Sequence, residues 1–528
     1  MDERFAEWTH FLITGRDNKV LIFGSPSPPI VRKLLKMTKN VFLASDKNIP
    51  FENSSIKRIK LKQNSIFPIA NQSIDAAVII EQKIADYIFI ELKRILIPGS
   101  KIAVFLEEKE HKKVKLAKIL SLLKKERQIR RKLRKYNFVD IETYTIIPGI
   151  HDPRWILPLD SKKQAAASLQ LYQPSLFGAK IKKFLFRVFS YLGFVRALTT
   201  NRIVFAKHHQ TVSNDLKNIF EEVLGEKNIK LALFTGTPGY HRKVTIQAMG
   251  PNGDILAYGK LAENEQTCKL LKNEVDILNY LASLHLTKAA IPKVLFWGAI
   301  SNGNLLIQST EKKLTSYRTH RLINLHIDFL VEIFNKTARK QKFKESKCLQ
   351  ELEERVRGLR GRVSNDWFNI LKRSIEIIVN NIGDERIPLG LCHGDFTPWN
   401  ILNSKERLFI IDWEFAKQEF VPFYDVLHFE IHTNLVLKSN KESPKMFLHF
   451  GKKFMNFVTK YAYLTNSNIS FLNIFTLFYL CDYCSFYLDI TERYWGHQNI
   501  EKDRKFAIRQ KLLEYMILNL SKSKQPFW

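Results

Sequence analysis

Acidic residues are scarce in this sequence: 52 Asp and Glu face 83 Lys and Arg, leaving a net charge of +31 over 528 residues. That imbalance points to an anionic partner (nucleic acid, a membrane face or phosphate-bearing substrates) or to a lysine-rich solvated surface. Cysteine is scarce too. Five thiols without even, close spacing exclude a disulfide framework and fit a reducing compartment. Cys481 and Cys484 in "CDYC" have zinc-like spacing but lack a second pair, so core packing is their expected role. Long uninterrupted apolar runs are missing as well. The best candidate, "NIFTLFYLCDYCSFYLDI", is broken by Asp482 and Asp489 and falls short of the roughly 20 apolar residues a membrane span needs. The N-terminal "MDERFAEWTHFL" lacks a signal-peptide layout. These absences give the expectation of a cytoplasmic protein, soluble or peripheral at the inner membrane face. No internal repeat or low-complexity segment is seen, and the length calls for two or three domains.

What is present changes character along the chain. "KVLIFG" (Lys19 to Gly24) reads as a buried strand and "PIVRKLLKM" as the helix after it, with "NVFLAS", "IDAAVII" and "SKIAVFL" as further strands. Such alternation implies a parallel sheet covered on both faces. From Lys109 to Tyr136 the chain is strongly basic, with Leu116, Ile119, Leu120 and Leu123 at helical spacing. "AKIKKFLFRVFSYLGFVRAL" (Ala179 to Leu198) repeats the basic-apolar pattern. Each fits either a helix packed on its own domain or one lying on anionic lipid. Beyond a polar stretch near Ala206 to Asn218, "KLALFTG", "RKVTIQAM" and "DILAYGKL" read as successive antiparallel strands, with "GPNGD" as a turn. The chain after Leu325 is mostly helical. The expected fold is multidomain α/β plus α+β. A Rossmann-like parallel-sheet domain with a basic helical extension covers 1–208, and a linker covers 209–228. A two-lobed α+β domain covers 229–528, divided into 229–310 and 311–528.

The chemistry concentrates in "LCHGDFTPWNIL" and "RLFIIDWEFA". Gly394 and Pro398 make the first a loop, which carries Asp395 and Asn400; the second is a buried-strand run that ends in Asp412. Two carboxylates and an amide on rigid supports suit Mg²⁺, which takes one or two carboxylates and fills its shell with water and substrate phosphates. An Asp, an Asn five residues on and a strand-end Asp is the protein-kinase order, and phosphoryl transfer needs little else but a cation on the nucleotide phosphates. "ILAYGKL" supplies that cation as Lys260. On the following helix Leu271, Glu274 and Leu278 share one face, and a glutamate there needs a partner such as Lys260. "FTGTPGYHRKV" offers Gly236 and Gly239 for a loop over the phosphates.

"HGDFTPWN" with "IDWE" resembles the aminoglycoside phosphotransferase and choline kinase family, of protein-kinase-like fold, from roughly Ile229 to the C-terminus. The resemblance implies ATP and Mg²⁺ as cofactors, Asp395 as catalytic base, Asn400 and Asp412 as metal ligands, and Lys260 on the phosphates paired with Glu274. It also implies Gln308, in "LLIQST", at the adenine hinge and Asp425 as a brace for the catalytic loop. His393 is expected to brace the loop rather than to exchange protons.

"SIFPIANQSIDAAVII" and "ELKRILIPGSKIAVF" resemble a class I methyltransferase dependent on S-adenosylmethionine, over about Lys19 to Phe105. The cofactor loop departs from that pattern. "GSPSPP" keeps Gly24 alone, and its prolines remove backbone donors; Asp46 stands where a ribose-binding acid could sit. The expectation is a Rossmann-like domain with lost or altered methyl transfer. The whole reads as an ATP- and Mg²⁺-dependent phosphotransferase acting on a hydroxyl of a small molecule, sugar or glycan precursor. The alternative is a non-catalytic nucleotide-binding scaffold, a pseudokinase fused to a degenerate methyltransferase domain. A nucleic-acid partner is disfavoured by the lack of a recognised binding motif with interleaved aromatics. The acceptor and the oligomeric state are not encoded in any motif found.

Overall fold

The computed structural model describes residues 7–12, 17–45, 56–59, 66–80, 84–107, 116–149, 152–171, 177–209, 215–236, 241–300, 303–311, 317–404, 407–438, 450–495 and 503–522. Asp46 and Gly239 lie outside them. The chain divides into two compact units: Met1–Cys268 with Val294–Thr310, and Lys269–Lys293 with Glu311–Trp528.

The first unit begins as expected. Strands β1 (Lys19–Gly24), β2 (Asn40–Ala44), β3 (Ile56–Ile59), β4 (Ile74–Ile80) and β5 (Leu96–Glu107) pair in parallel in the order 3-2-1-4-5. That order belongs to doubly wound sheets. Alternate residues of β1 enter different cores, Val20 and Ile22 in one, Leu21 and Phe23 in the other, because both faces are covered, by helices that include α1 (Pro28–Met37) and α2 (Asp86–Ile95). After α3 (Leu116–Lys135), strands β6 (Phe138–Gly149), β7 (Asp152–Pro158) and β8 (Asn201–His208) extend the sheet, with β8 antiparallel between β5 and β6. Helices α4 (Lys162–Ser168) and α5 (Phe177–Leu192) lie between β7 and β8 in sequence.

The sheet does not stop there. Strands β9 (Lys230–Phe234), β10 (Val244–Met249) and β11 (Ile255–Ala262) form the antiparallel set read from the sequence, and β13 (Val294–Ile300) and β14 (Gly303–Ser309), not read there as strands, continue it. β9 then pairs with β7 through Trp155 with Phe234 and Ile156 with Leu233, giving one 13-stranded sheet. Trp155 and Phe234 stack at 5.4 Å across the junction, and one core runs from Val20 through Ile156 to Leu231, Ile246 and Ile307. The expected linker 209–228 contains α6 (Leu216–Leu224), whose Phe220 is fully buried in that core. The expected boundary there and the compact units therefore do not coincide.

One further reading is corrected by burial. In α3 the inward face is Leu122, Glu126, Ile129 and Leu133, whereas Leu120 is exposed. The apolar spacing that begins at Leu116 misplaces the face because Glu126 is drawn inward by Arg202, which donates to it at 2.6 Å. Buried Glu7 and His10 form a polar cluster with the exposed Glu263, with ligand atoms close enough for a cation. Lys33 pairs with Glu7 at 2.8 Å and also with Glu263, and Arg242 pairs with Glu7, so two cations already neutralise the two carboxylates.

The second unit starts within α7 (Glu265–Ser283), and β12 (Ala289–Ala290) follows. Helices α8 (Asn324–Thr337), α9 (Lys347–Gly358) and α10 (Asn365–Ile382) come next, with β15 (Arg339–Lys342) after α8. Strands β16 (Arg386–Cys392), β17 (Ile401–Asn403), β18 (Leu408–Ile410) and β19 (Lys417–Phe420) carry the loops of interest. Helices α11 (Tyr424–Lys438), α12 (Lys452–Thr465), α13 (Leu472–Trp495) and α14 (Arg504–Lys522) complete the unit. The apolar run that contains "CDYC" is α13. Ile469–Thr491, from the turn before α13 into the helix, is long and apolar enough to cross a membrane, yet 78% of its most apolar part is buried within the fold. Cys481 and Cys484 are core residues, as expected. Asp482 accepts from Arg355 at 3.0 Å, Lys417 at 3.3 Å and the Tyr424 hydroxyl at 2.8 Å. Burial pushes its pKa up, but the charges of Lys417 and Arg355 outweigh burial and hold it at about 2. Asp489 pairs with Arg362 at 2.9 Å. The acids that interrupt the run are ion-pair partners for α9 and the turn that follows it.

Candidate active site

β16 delivers the chain to His393 and Gly394. Gly394 has φ 79°, a left-handed backbone that favours glycine, and a Cβ there would collide with the Phe415 carbonyl. Asp425, at the first turn of α11, accepts the backbone N–H of His393 at 2.7 Å and of Gly394 at 3.0 Å. Burial raises its pKa above the usual carboxylate range, while His393 and the two N–H donors pull it back. His393 is buried as well. The backbone N–H of Asp395 donates to its Nδ1 at 3.2 Å, so its Nε2 carries the proton and donates to the Ile411 carbonyl at 3.0 Å. Burial lowers its pKa, against the pull of Asp425 and Asp395. A neutral ring thus bolts the loop to the end of β18, the bracing role expected of it.

Strand register brings Asn400 opposite the residue before Asp412. β17 and β18 pair Ile401 with Ile410, and the Ile411 N–H donates to the Asn400 carbonyl at 3.0 Å. Asp412, the next residue, has φ 69°. The Asn400 amide donates from Nδ2 to Asp395 Oδ2 at 2.8 Å and to the Asp395 carbonyl at 3.1 Å, which leaves its Oδ1 as an acceptor. The donor chemistry near this turn is therefore oxygen from one amide and one carboxylate, a set that suits Mg²⁺.

The residue the sequence reading missed is His428. It lies on α11 three residues after Asp425, so both fall on the face turned to the loop. Its Nε2 donates to Asp395 Oδ1 at 3.1 Å. Asp395 is thereby held at both oxygens, by His428 and by Asn400, while its side chain keeps 30% exposure. His428 stacks on His432 at 4.9 Å, and Arg509 donates to His432 Nδ1 at 3.2 Å. Asn273, next to Glu274 on α7, was also missed: its amide donates to the carbonyls of Glu414 and Ala416 at 3.0 and 3.1 Å, tying α7 to the segment after Asp412. No pattern in the sequence marks Asn273.

The other expected residues are placed as follows. Glu274 is fully buried on α7 in this unit. In the first unit, Lys260 is buried on β11 between Thr245 of β10 and Leu306 of β14, and Gln308 is buried on β14 opposite Tyr258. Gly236 has φ 82°, and a Cβ there would meet the Lys243 carbonyl at 2.6 Å. After β1, Pro28 and Pro29 occupy the first turn of α1, so two backbone N–H donors are missing at that helix end.

His326, on α8, supplies a prediction. Its Nε2 donates to Asn403 Oδ1 at 3.1 Å, beside the end of β17. Burial lowers its pKa from 6.5 to about 4, against a smaller opposing pull from Asn403. The native state then binds fewer protons than the unfolded state, so stability is complete above pH 6.5 and falls as pH drops toward 4. The loss is about 3 kcal/mol in all. His326→Gln keeps a donor for Asn403 and removes the titration. Urea unfolding across that interval should show a steeper decline for wild type than for the variant, and equal slopes would refute the assignment.

Residues 259–427 match the phosphotransferase enzyme family. The matched segment contains Lys260, Glu274, Gln308, Asp395, Asn400, Asp412 and Asp425. No curated protein matches the chain. Among solved structures, the choline kinase LicA from Streptococcus pneumoniae is similar at 15% identity, over 58% of this chain and 100% of that one, with a TM-score of 0.40. A putative fructosamine-3-kinase from Haemophilus somnus 129PT is similar at 13% identity, over 57% and 96%, with a TM-score of 0.38. Phosphoethanolamine N-methyltransferase 2 from Haemonchus contortus is similar at 15% identity, over 40% of this chain and 52% of that one, with a TM-score of 0.25. The chain thus spans about half the length of the methyltransferase it matches.

Proposed function

We propose that this chain is an ATP- and Mg²⁺-dependent phosphotransferase that moves the γ-phosphoryl group to a hydroxyl of a small molecule, sugar or glycan precursor. The observation that carries the reading is the clamped carboxylate: Asp395 is fixed at one oxygen by His428 and at the other by Asn400, with lone pairs left for an incoming hydroxyl. In the proposed reaction Asp395 orients that hydroxyl and accepts its proton as the oxygen attacks phosphorus. Asn400 Oδ1 and the Asp412 carboxylate would hold Mg²⁺, which would neutralise charge on the nucleotide phosphates. The reading assigns Lys260 to the α- and β-phosphates. Gly236 and Gly239 fall to the loop over them, and Gln308 to the adenine edge. The N-terminal sheet is assigned no methyl transfer, in keeping with Pro28 and Pro29.

The test is a phosphate-transfer screen with ATP against alcohols, sugars and cell-envelope precursors. Expected is acceptor-dependent ADP release that requires Mg²⁺. Nucleotide binding without transfer to any acceptor, or hydrolysis that no acceptor accelerates, would replace this reading with the scaffold.

A further inference from the structure

Helix α5 and the residue pair after it carry an apolar stripe that nothing among the described residues covers. Phe184 is 66% exposed and Phe194 62%, and Ile181, Leu185, Val188, Tyr191 and Leu192 lie between 37% and 57%. On a helix the six positions from Ile181 to Leu192 share an arc of roughly 120°. The opposite face is the one that packs: Phe186 and Ser190 are buried, Phe186 in a cluster with Ala165, Leu169 and Val195. The stripe is therefore not a core face turned the wrong way. It is a second apolar face on a helix already anchored by its first. Monomeric proteins seldom expose contiguous apolar surface of this kind unless something docks on it.

Charge selects the occupant. Residues 177–198 contain no Asp or Glu, while α5 carries Lys180, Lys182, Lys183 and Arg187. Arg187 is exposed beside the stripe. The turn Val195–Leu198 that follows α5 packs against α3, whose exposed positions include Lys124, Arg127, Arg131 and Arg134. An apolar stripe flanked by basic residues, in a chain of net charge +31, is complementary to a surface that is apolar below and anionic above. We infer that α5 lies in the interface of an anionic bilayer, with Phe184, Leu185, Val188 and Tyr191 inserted among the acyl chains and Arg187 at the headgroups. The inference is independent of the phosphotransfer reading.

Co-sedimentation of the full chain tests it, with vesicles of phosphatidylcholine alone or mixed with phosphatidylglycerol. Expected is binding to the mixed vesicles that weakens steeply with salt, and little binding to phosphatidylcholine. Phe184→Asp with Tyr191→Asp should lower the partition coefficient at least about a hundredfold, since two large apolar side chains lose their insertion. Both side chains point to solvent, so the melting temperature should not change. Equal partition into neutral vesicles, or unaltered binding by the double variant, overturns the proposal. So does self-association that the double variant abolishes while wild type ignores vesicles, which would assign the stripe to a second copy. Should the double variant not fold, Val188→Cys carrying an environment-sensitive dye replaces it. A blue shift with anionic vesicles, relative to wild type put through the same labelling, supports insertion, and an unshifted spectrum overturns it.

Discussion

Asp395→Asn will lower turnover by about a thousandfold while ATP affinity stays within about threefold. The amide has the shape of the carboxylate but cannot take a proton from an attacking hydroxyl. It also cannot satisfy both of its neighbours. His428 and Asn400 each donate to one oxygen of Asp395, and an amide presents one acceptor and one donor group. One buried donor is left facing another, which costs about 1–3 kcal/mol of stability besides the lost base. Steady-state kinetics read the first effect, nucleotide titration shows that the ATP site survives, and thermal melting reads the third. Turnover within about tenfold of wild type would remove Asp395 from the base role.

Asp412→Asn will lower turnover by about a hundredfold and raise the Mg²⁺ concentration needed for half-maximal rate, with little change in stability. The backbone accommodates the change. Asp412 sits at φ 69°, where Asn is among the few side chains that fit without strain. Asp412→Ala separates the two demands on the position. It loses the ligand and also the short polar side chain whose local hydrogen bonding makes the left-handed backbone tolerable, so it should melt earlier by about 1 kcal/mol of stability. A Mg²⁺ dependence unchanged in both variants would falsify the ligand role.

The loop and strand that hold these residues were legible because both constraints are local. Gly394 and Pro398 break the chain into a loop, and the run before Asp412 can only be a buried strand. Strands β1, β2, β4, β9, β10 and β11 were legible for the same reason, since each is a short apolar run bounded by turn residues. His428 was not, because its value depends on where α11 points, and a histidine on a mostly apolar helix carries no mark of its own. The inward face of α3 was hidden because a glutamate occupies it, and only the distant Arg202 explains why. The arginine partners of Asp482 and Asp489 lie 127 residues away in sequence, beyond any periodicity.

The junction of β7 with β9 was the least legible feature, since two paired positions join edges that no sequence signal addresses to one another. It bears on how this gene can be cut and shuffled. A polypeptide begun at residue 229 would present β9 as a raw border, with open N–H and C=O groups and Phe234 stripped of its stacking ring. Such a fragment should clump on expression, whatever its catalytic equipment.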